Sequence, residues 1–349
     1  MTRPLADALH QAARPARSGP FARLLQRALS RLSRGSITLR DRGTELVFGA
    51  GEPAAVVTVH DPAFYRRAAL GGSVGAGESY MDGDWDCDGL VALVRILAAN
   101  RDALERLDGA GRVAARTADL LAHLLRANTR RGSRRNIEAH YDLSNAFFET
   151  FLDERMMYSA AVYESPAMTL EEASRAKLER LCRKLELAPE DHLLEIGTGW
   201  GGLAVYAAGR FGCRVTTATI SPSQYEAALD RVRAAGLEDR VEVLLTDYRD
   251  LTGRYDKLVS VEMVEAVGND FLNGYFETLS RLVRPDGLIA LQAITIEDRR
   301  FRQALRDVDF IKKHVFPGSF IPSVSRLVSA AARHTDTVLV NLEDIGLDY

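Results

Sequence analysis

The run Leu193-Leu194-Glu195-Ile196 reads as a buried strand, and it ends in Gly197, Gly199, Gly201 and Gly202 before the helical segment LAVYAAGRF. Glycines at such a place let a ligand come close to the backbone, because no Cβ intervenes and positive φ is accessible. In open parallel sheets the carboxyl end of a strand is also where ligands bind. A nicotinamide dinucleotide would want an acidic ribose contact about 20 residues further on, at the end of the second strand. That strand instead ends Thr219-Ile220-Ser221, with Gln224 in the next turn. These neutral polar groups suit an adenosine and count against a dehydrogenase.

Two carboxylates stand three residues apart in VEMVEAVG, Glu262 and Glu265. A surface pair is their ordinary explanation. A catalytic role is favoured for Glu265, since strand ends face the ligand crevice. His140 and His314 are read as loop or core histidines. The three cysteines, Cys87, Cys182 and Cys213, form no CxxC pair and no cluster at metal-ligand spacing, so neither a disulfide framework nor a metal site is expected.

Positioning these residues requires a repeating strand and helix chain. HLLEIG, RVTTATI, VEVLLTD, KLVSVEM and LIALQAIT are apolar, β-rich runs separated by helical segments, and TVLVNLEDI is a sixth candidate. The pattern predicts an α/β fold with a mostly parallel sheet covered on both faces. A helix over 171–187 is opened by Thr169 with Glu172 three residues on, a capping box. Upstream, ITLRDRGTELVFG and AAVVTVHD read as short strands, and LVALVRILAAN and RVAARTADLLAHLLRAN as helices, giving a small α+β front domain. Residues 1–127 form that domain, 128–136 (NTRRGSRRN) a basic linker, and 137–349 the larger domain.

The net charge of −3 hides an asymmetry: residues 1–135 hold 21 basic and 14 acidic side chains, the remainder 24 and 34. A basic front half calls for an anionic partner. The aromatic interleaving of a nucleic-acid binder is absent, so a membrane surface is preferred and no nucleic acid is expected. The segment 20–34 (FARLLQRALSRLSRG) is an amphipathic basic helix that could lie on lipid or pack on its own domain. There is no long uncharged apolar run and no signal-peptide core, so the expected location is cytoplasmic, peripherally attached to the inner face of the membrane.

Several motifs in order, HYDLSNAFFETFLDERMMYS, LLEIGTGWGGLA, TISPSQ, DYRD, EAVG and FPGSFIPS, resemble cyclopropane fatty acid synthases and the related mycolic acid methyltransferases. GESYMDGDWD also resembles the front domain of the bacterial phospholipid enzymes. The resemblance implies a class I, Rossmann-like fold dependent on S-adenosylmethionine (SAM), acting on the double bond of an unsaturated phospholipid acyl chain. By that resemblance Gly197 and Gly199 line the methionine moiety, with Gly201 in the same loop, while Tyr141, Tyr158 and Ser159 close over the cofactor. Thr219, Gln224, Tyr248 and Arg249 face the adenosine.

The double bond is a weak nucleophile, so the sulfonium methyl must be presented to it in line and in a dry slot. The attack leaves a carbocation, and a base must then take a proton from the added methyl. Members of the resembled family use a bicarbonate held by a Glu, a His, a Tyr and a backbone group beside a Cys. Here the Glu falls on Glu265 and the Tyr on Tyr349, whereas the Cys is Ala160 and the His is Gln292. Gln292 can donate hydrogen bonds but carries no charge. LQAIT and VEMVEAVG look more like the members that form a methylene branch, which a reductase partner then saturates. A homodimer is among the expected partners. The family pattern continues past Tyr349 with a long helix, a seventh strand and a cysteine, so the resemblance implies either that the sequence is a fragment or that its sheet lacks one edge. The alternative from another class is a catalytically inactive SAM- and lipid-binding homologue.

Neutralising Arg126, Arg130, Arg131, Arg134 and Arg135 should weaken binding to anionic vesicles, by up to about 1 kcal/mol for each arginine and less at high salt. Flotation that is equally strong with and without these arginines, at both salt levels, would make the segment a solvated spacer.

Overall fold

The computed structural model describes residues 19–101, 128, 129, 132, 133 and 144–348. The chain divides into two compact units, Met1–Leu121 and Ala122–Tyr349. The first contains α1 (Pro20–Leu29), β1 (Gly35–Asp41), β2 (Thr44–Ala50), β3 (Ala54–Val59), α2 (Ala63–Met81), β4 (Trp85–Asp88) and α3 (Leu90–Ala99). Its sheet runs β2-β1-β3-β4, parallel only between β1 and β3. ITLRDRGTELVFG is a hairpin of two strands, because Arg42 and Gly43 both take positive φ in the two-residue turn. The α1 segment packs on its own unit: Ala22 and Leu29 are buried, and Phe21 and Leu25 lie against the same core. The α2 helix escapes a sequence reading because its glycines depress helix propensity. One of them, Gly75, is required, since a Cβ there would lie 2.2 Å from the Arg67 carbonyl oxygen. The expected helix RVAARTADLLAHLLRAN lies outside the described residues up to its last, Asn128.

The second unit opens with α4 (Asn145–Glu149) and α5 (Leu170–Lys184). It continues β5 (His192–Ile196), α6 (Gly202–Phe211), β6 (Arg214–Thr219), α7 (Pro222–Ala234), β7 (Val241–Leu245), β8 (Tyr255–Val261), α8 (Leu272–Leu282) and β9 (Val283–Gln292). The helices α9 (Asp298–Arg306) and α10 (Val324–His334) follow. The five strands are ordered β7-β6-β5-β8-β9 and all pair in parallel. Successive residues of a strand enter opposite cores, as the pleat requires. Leu193, Val215 and Val259 join Leu178, Leu181 and Ala204 on one face. Leu194, Ala218 and Leu258 join Tyr275, Phe276 and Leu279 on the other. Each fully buried Leu contributes about 2 kcal/mol.

One expectation is corrected. TVLVNLEDI is not a strand: residues 337–345 pair with no ladder, and Val338 and Val340 are each 80% exposed. Apolar, β-branched composition supplies propensity, but a strand also needs a partner edge. Of the expected linker 128–136, only residues 128, 129, 132 and 133 are among the described residues. Asn128 is buried and its Nδ2 donates to the Gly318 carbonyl at 2.8 Å. Its own carbonyl accepts from Ser133 Oγ at 3.1 Å.

The capping box at α5 is formed: Thr169 Oγ1 accepts from the Glu172 N–H, and the Glu172 carboxylate accepts from the Thr169 N–H at 2.8 Å. Thr169→Ala should cost about 1 kcal/mol. Calorimetry should show the unfolding midpoint lowered by about 2–4 °C.

Candidate active site

The loops that carry most of the candidate residues leave the carboxyl ends of parallel strands, while Tyr158 and Ser159 lie between α4 and α5. After β5 the chain turns through Gly197, Gly199 and Gly201 at φ of 99°, 52° and 82°. Their reasons differ. A Cβ on Gly199 would meet nothing within 4 Å, so this glycine leaves open space beside the backbone. A Cβ on Gly201 would lie 3.1 Å from the Ala228 Cβ, and one on Gly202 2.6 Å from the Arg155 carbonyl. Gly201 thus lets α7 pack closely, and Gly202 lets the 155–157 segment cross α6. The loop is buckled from below. Thr217 Oγ1 lies 2.7 Å from the buried Glu195 carboxylate and 2.8 Å from Thr198 Oγ1. Burial pushes Glu195 up to about 8.

At the end of β6, Thr219 Oγ1 donates to Gln224 Oε1 at 3.0 Å and accepts from the Ser221 N–H at 3.1 Å. Ser221 also caps α7. Thr219 and Gln224 therefore form one buried, neutral polar wall. After β7, Tyr248 is pushed up to about 12 by burial and packs edge-on against Tyr275. The Arg249 guanidinium is occupied: Nε and Nη2 donate to the two Asp247 carboxylate oxygens at 2.8 and 2.6 Å, and Nη1 and Nη2 reach Asn128 and Ser133. It braces this loop, and its charge is balanced by Asp247.

A third group gathers where β8 and β9 end. The Glu262 N–H donates to the Gln292 carbonyl at 2.8 Å, adding one rung to the β8–β9 ladder. Glu262 itself sits at φ 48°, a left-handed conformation rare for a residue with a Cβ, and such strain clusters at functional sites. Its Oε1 accepts from the Ala160 N–H at 3.0 Å and from Gln292 Nε2 at 2.9 Å. Gln292 Nε2 also reaches the Ala160 carbonyl at 3.0 Å. Glu265, in the turn beyond, accepts from the Ile294 N–H with Oε1, while its Oε2 is buried without a hydrogen-bond partner among the described residues. Burial, reinforced by the neighbouring Glu262 charge, lifts Glu265 to about 7. That places it near the working range of a general acid or base.

The Tyr158–Ala160 strap crosses these strand ends. Tyr158 lies among Phe148, Phe151 and Phe316, and burial raises its hydroxyl. Ser159 Oγ accepts from Lys177 Nζ at 2.6 Å. The FPGSFIPS segment closes the other side, with the Phe320 N–H donating to the Glu265 carbonyl at 3.0 Å. The structure therefore brings together Tyr158, Ser159, Glu262, Glu265 and Gln292. The glycine loop and the Thr219–Gln224 wall occupy neighbouring strand ends. Tyr141 and Tyr349 lie outside the described residues, as does His140. Glu262 and Glu265 are not a surface pair, because both are tied into the strand ends. Sequence reasoning missed Lys177 and Glu195. The signal for Lys177 was its place on the core stripe of α5, between Ala173, Ser174 and Leu178, Leu181.

The family model for mycolic acid cyclopropane synthetase matches residues 128–349. The tuberculostearic acid methyltransferase of Mycobacterium tuberculosis is 39% identical over 86% of this chain and 72% of its own length. The cyclopropane-fatty-acyl-phospholipid synthase of Escherichia coli is 36% identical over 86% of this chain and 75% of its own. Among solved structures, the cyclopropane synthase MmaA2 from Mycobacterium tuberculosis superposes with a TM-score of 0.55 at 28% identity, covering 60% of this chain and 76% of that one. The chain belongs to the cyclopropane synthetase family. It is an S-adenosylmethionine-dependent C-methyltransferase with the expected Rossmann-like α/β fold.

Membership of that family raises the question of a bicarbonate at the base site. The donors expected for it, the backbone beside Ala160 and the side chain at 292, both point at Glu262 Oε1. A carboxylate of the chain itself stands where the anion would have to be held. The described residues do not fit a bound bicarbonate, and no step is assigned to one.

Gly199→Val should reduce binding of SAM or S-adenosylhomocysteine at least about tenfold, because the side chain would fill the open space and would be strained at this φ. Titration calorimetry checks this, and an unchanged affinity would remove the glycine loop from the cofactor site.

Proposed function

We propose that this protein transfers the methyl group of SAM to a double bond of an unsaturated phospholipid acyl chain and releases a methylene-branched chain. The observation that carries this reading is the Glu262 carboxylate held by Ala160 and Gln292 in the family's base site. Attack of the π electrons on the sulfonium methyl forms a new C–C bond, expels S-adenosylhomocysteine and leaves a cation on the adjacent carbon. Glu262 takes a proton from the added carbon. The electron pair of that C–H bond closes a ring if the cation is still adjacent. It forms an exocyclic double bond if a hydride has first shifted to the neighbouring carbon. Where proton removal is slower than the hydride shift, the branched product forms. Glu265, coupled to Glu262 and poised near neutrality, tunes this base. A reductase that saturates the methylene fits this product, and the likeness to the tuberculostearic acid methyltransferase supports the same direction.

The lipid is reached at a membrane surface. No helix among the described residues is long and apolar enough to cross a bilayer. In the first unit, α3 instead turns Leu90, Val91, Val94 and Leu97 outward. This apolar face, rather than that of α1, suits contact with lipid.

Glu262→Gln should lower product formation by at least about a hundredfold while leaving cofactor affinity within about twofold, and Glu265→Gln should have a smaller effect in the same direction. The measurement is mass and magnetic-resonance analysis of acyl chains from unsaturated vesicles, with and without added bicarbonate. A cyclopropane product whose yield rises with bicarbonate would overturn both the base and the branching assignment.

A further inference from the structure

Two lysines are buried among the described residues, and they are used differently. Lys312 closes its own turn, with Nζ donating to the Ala304 and Asp307 carbonyls. Lys177 is only 1% exposed, sits on the core stripe of α5, and reaches out of that helix to the site. Its Nζ donates to Ser159 Oγ at 2.6 Å, and the next residue, Ala160, donates its N–H to Glu262. The Tyr158–Ala160 strap is thus fastened at two adjacent residues, by a cation from α5 and by the carboxylate and amide that follow β8 and end β9. A buried ammonium is costly unless something requires it.

We propose that Lys177 is a positioning residue for the methyl transfer: through Ser159 it fixes the strap over the cofactor, and its charge balances the Glu262 carboxylate at the base site. This rests on the reading of Glu262 as the base. Besides the Ser159 hydroxyl, the groups that face the ammonium are acidic: Glu262 after β8, Asp153 just ahead of the strap, and Glu195 on β5. Asp153 is buried and holds the strap's approach by accepting from the Met157 N–H at 2.8 Å. Burial lowers Lys177 to about 8, against the upward pull of these three carboxylates. Below about 8 the ammonium is charged. As pH rises through that value the charge is lost, Glu262 loses its counter-ion, and the strap loses its charged tie.

The test compares the unmodified protein with Lys177→Arg and Lys177→Met, following transfer of a labelled methyl group to unsaturated phospholipid vesicles from about pH 6 to about pH 10. For the unmodified protein kcat should fall about tenfold per pH unit above about 8. Lys177→Arg should keep part of the rate and lose that fall, because guanidinium stays charged across the range. Lys177→Met should be slow throughout, with no fall and with S-adenosylhomocysteine bound at least about tenfold more weakly. A folded Lys177→Met with the unmodified protein's kcat, profile and affinity overturns the proposal. So does a Lys177→Arg profile that still falls above about 8, which decides the matter even where the methionine variant does not fold. If the unmodified protein methylates no lipid, the reading of its function fails. The positioning role is then judged from S-adenosylhomocysteine affinity alone, which should weaken above about 8 in the unmodified protein and not in Lys177→Arg.

Discussion

Every candidate group in this protein depends on one constraint: five parallel strands, covered by helices on both faces, must all end on the same edge. A parallel connection has to cross the sheet through a helix and return, so each strand leaves its carboxyl end in the same direction. The glycine loop after β5, the Thr219–Gln224 wall after β6, the Asp247–Arg249 brace after β7 and the carboxylates after β8 share an edge for that reason. The β8–β9 register then does the finest positioning. Because Val261, the last residue of β8, pairs with Gln292, Glu262 follows directly after the strand and the Gln292 side chain can reach its carboxylate.

The polar groups at this edge form a hierarchy. Those nearest the strands, Glu195 with Thr217 and Thr219 with Gln224, are satisfied by close neighbours and shape the backbone. Those further out, Glu262 and Gln292, are satisfied by the strap, whose Ser159 is held in turn by Lys177, so the strap and the strand ends order one another. Glu265 is the exception, with one carboxylate oxygen left without a partner among the described residues. An unsatisfied buried acceptor costs about 1–3 kcal/mol, which a site tolerates when it must receive a proton or a hydrogen bond during a reaction.

The glycines illustrate how one motif can answer several demands. Gly199 leaves room for a ligand, Gly201 admits α7, and Gly202 admits the segment that leads into the strap. A string that looks like a single binding signature is partly a packing solution, and only the neighbours of each Cβ position separate the two uses.

The sequence by itself determined the architecture of the second unit and the place of its site. Alternating apolar runs and helical segments admit few arrangements, and a strand ending in glycines marks the carboxyl edge whatever its neighbours are. It also determined the start of α5, because a capping box is a local device whose partners lie three residues apart. It could not decide which of Glu262 and Glu265 meets Gln292, since that depends on a register between strands about 30 residues apart. Nor could it decide that Arg249 is spent on Asp247, or that 337–345 lacks a partner strand. Lys177 belongs to the same class: one polar residue in an apolar helical stripe is visible in the sequence. Only the packing of α5 against the strap turns it into a group of the site, because the field at a buried charge comes from residues distant along the chain.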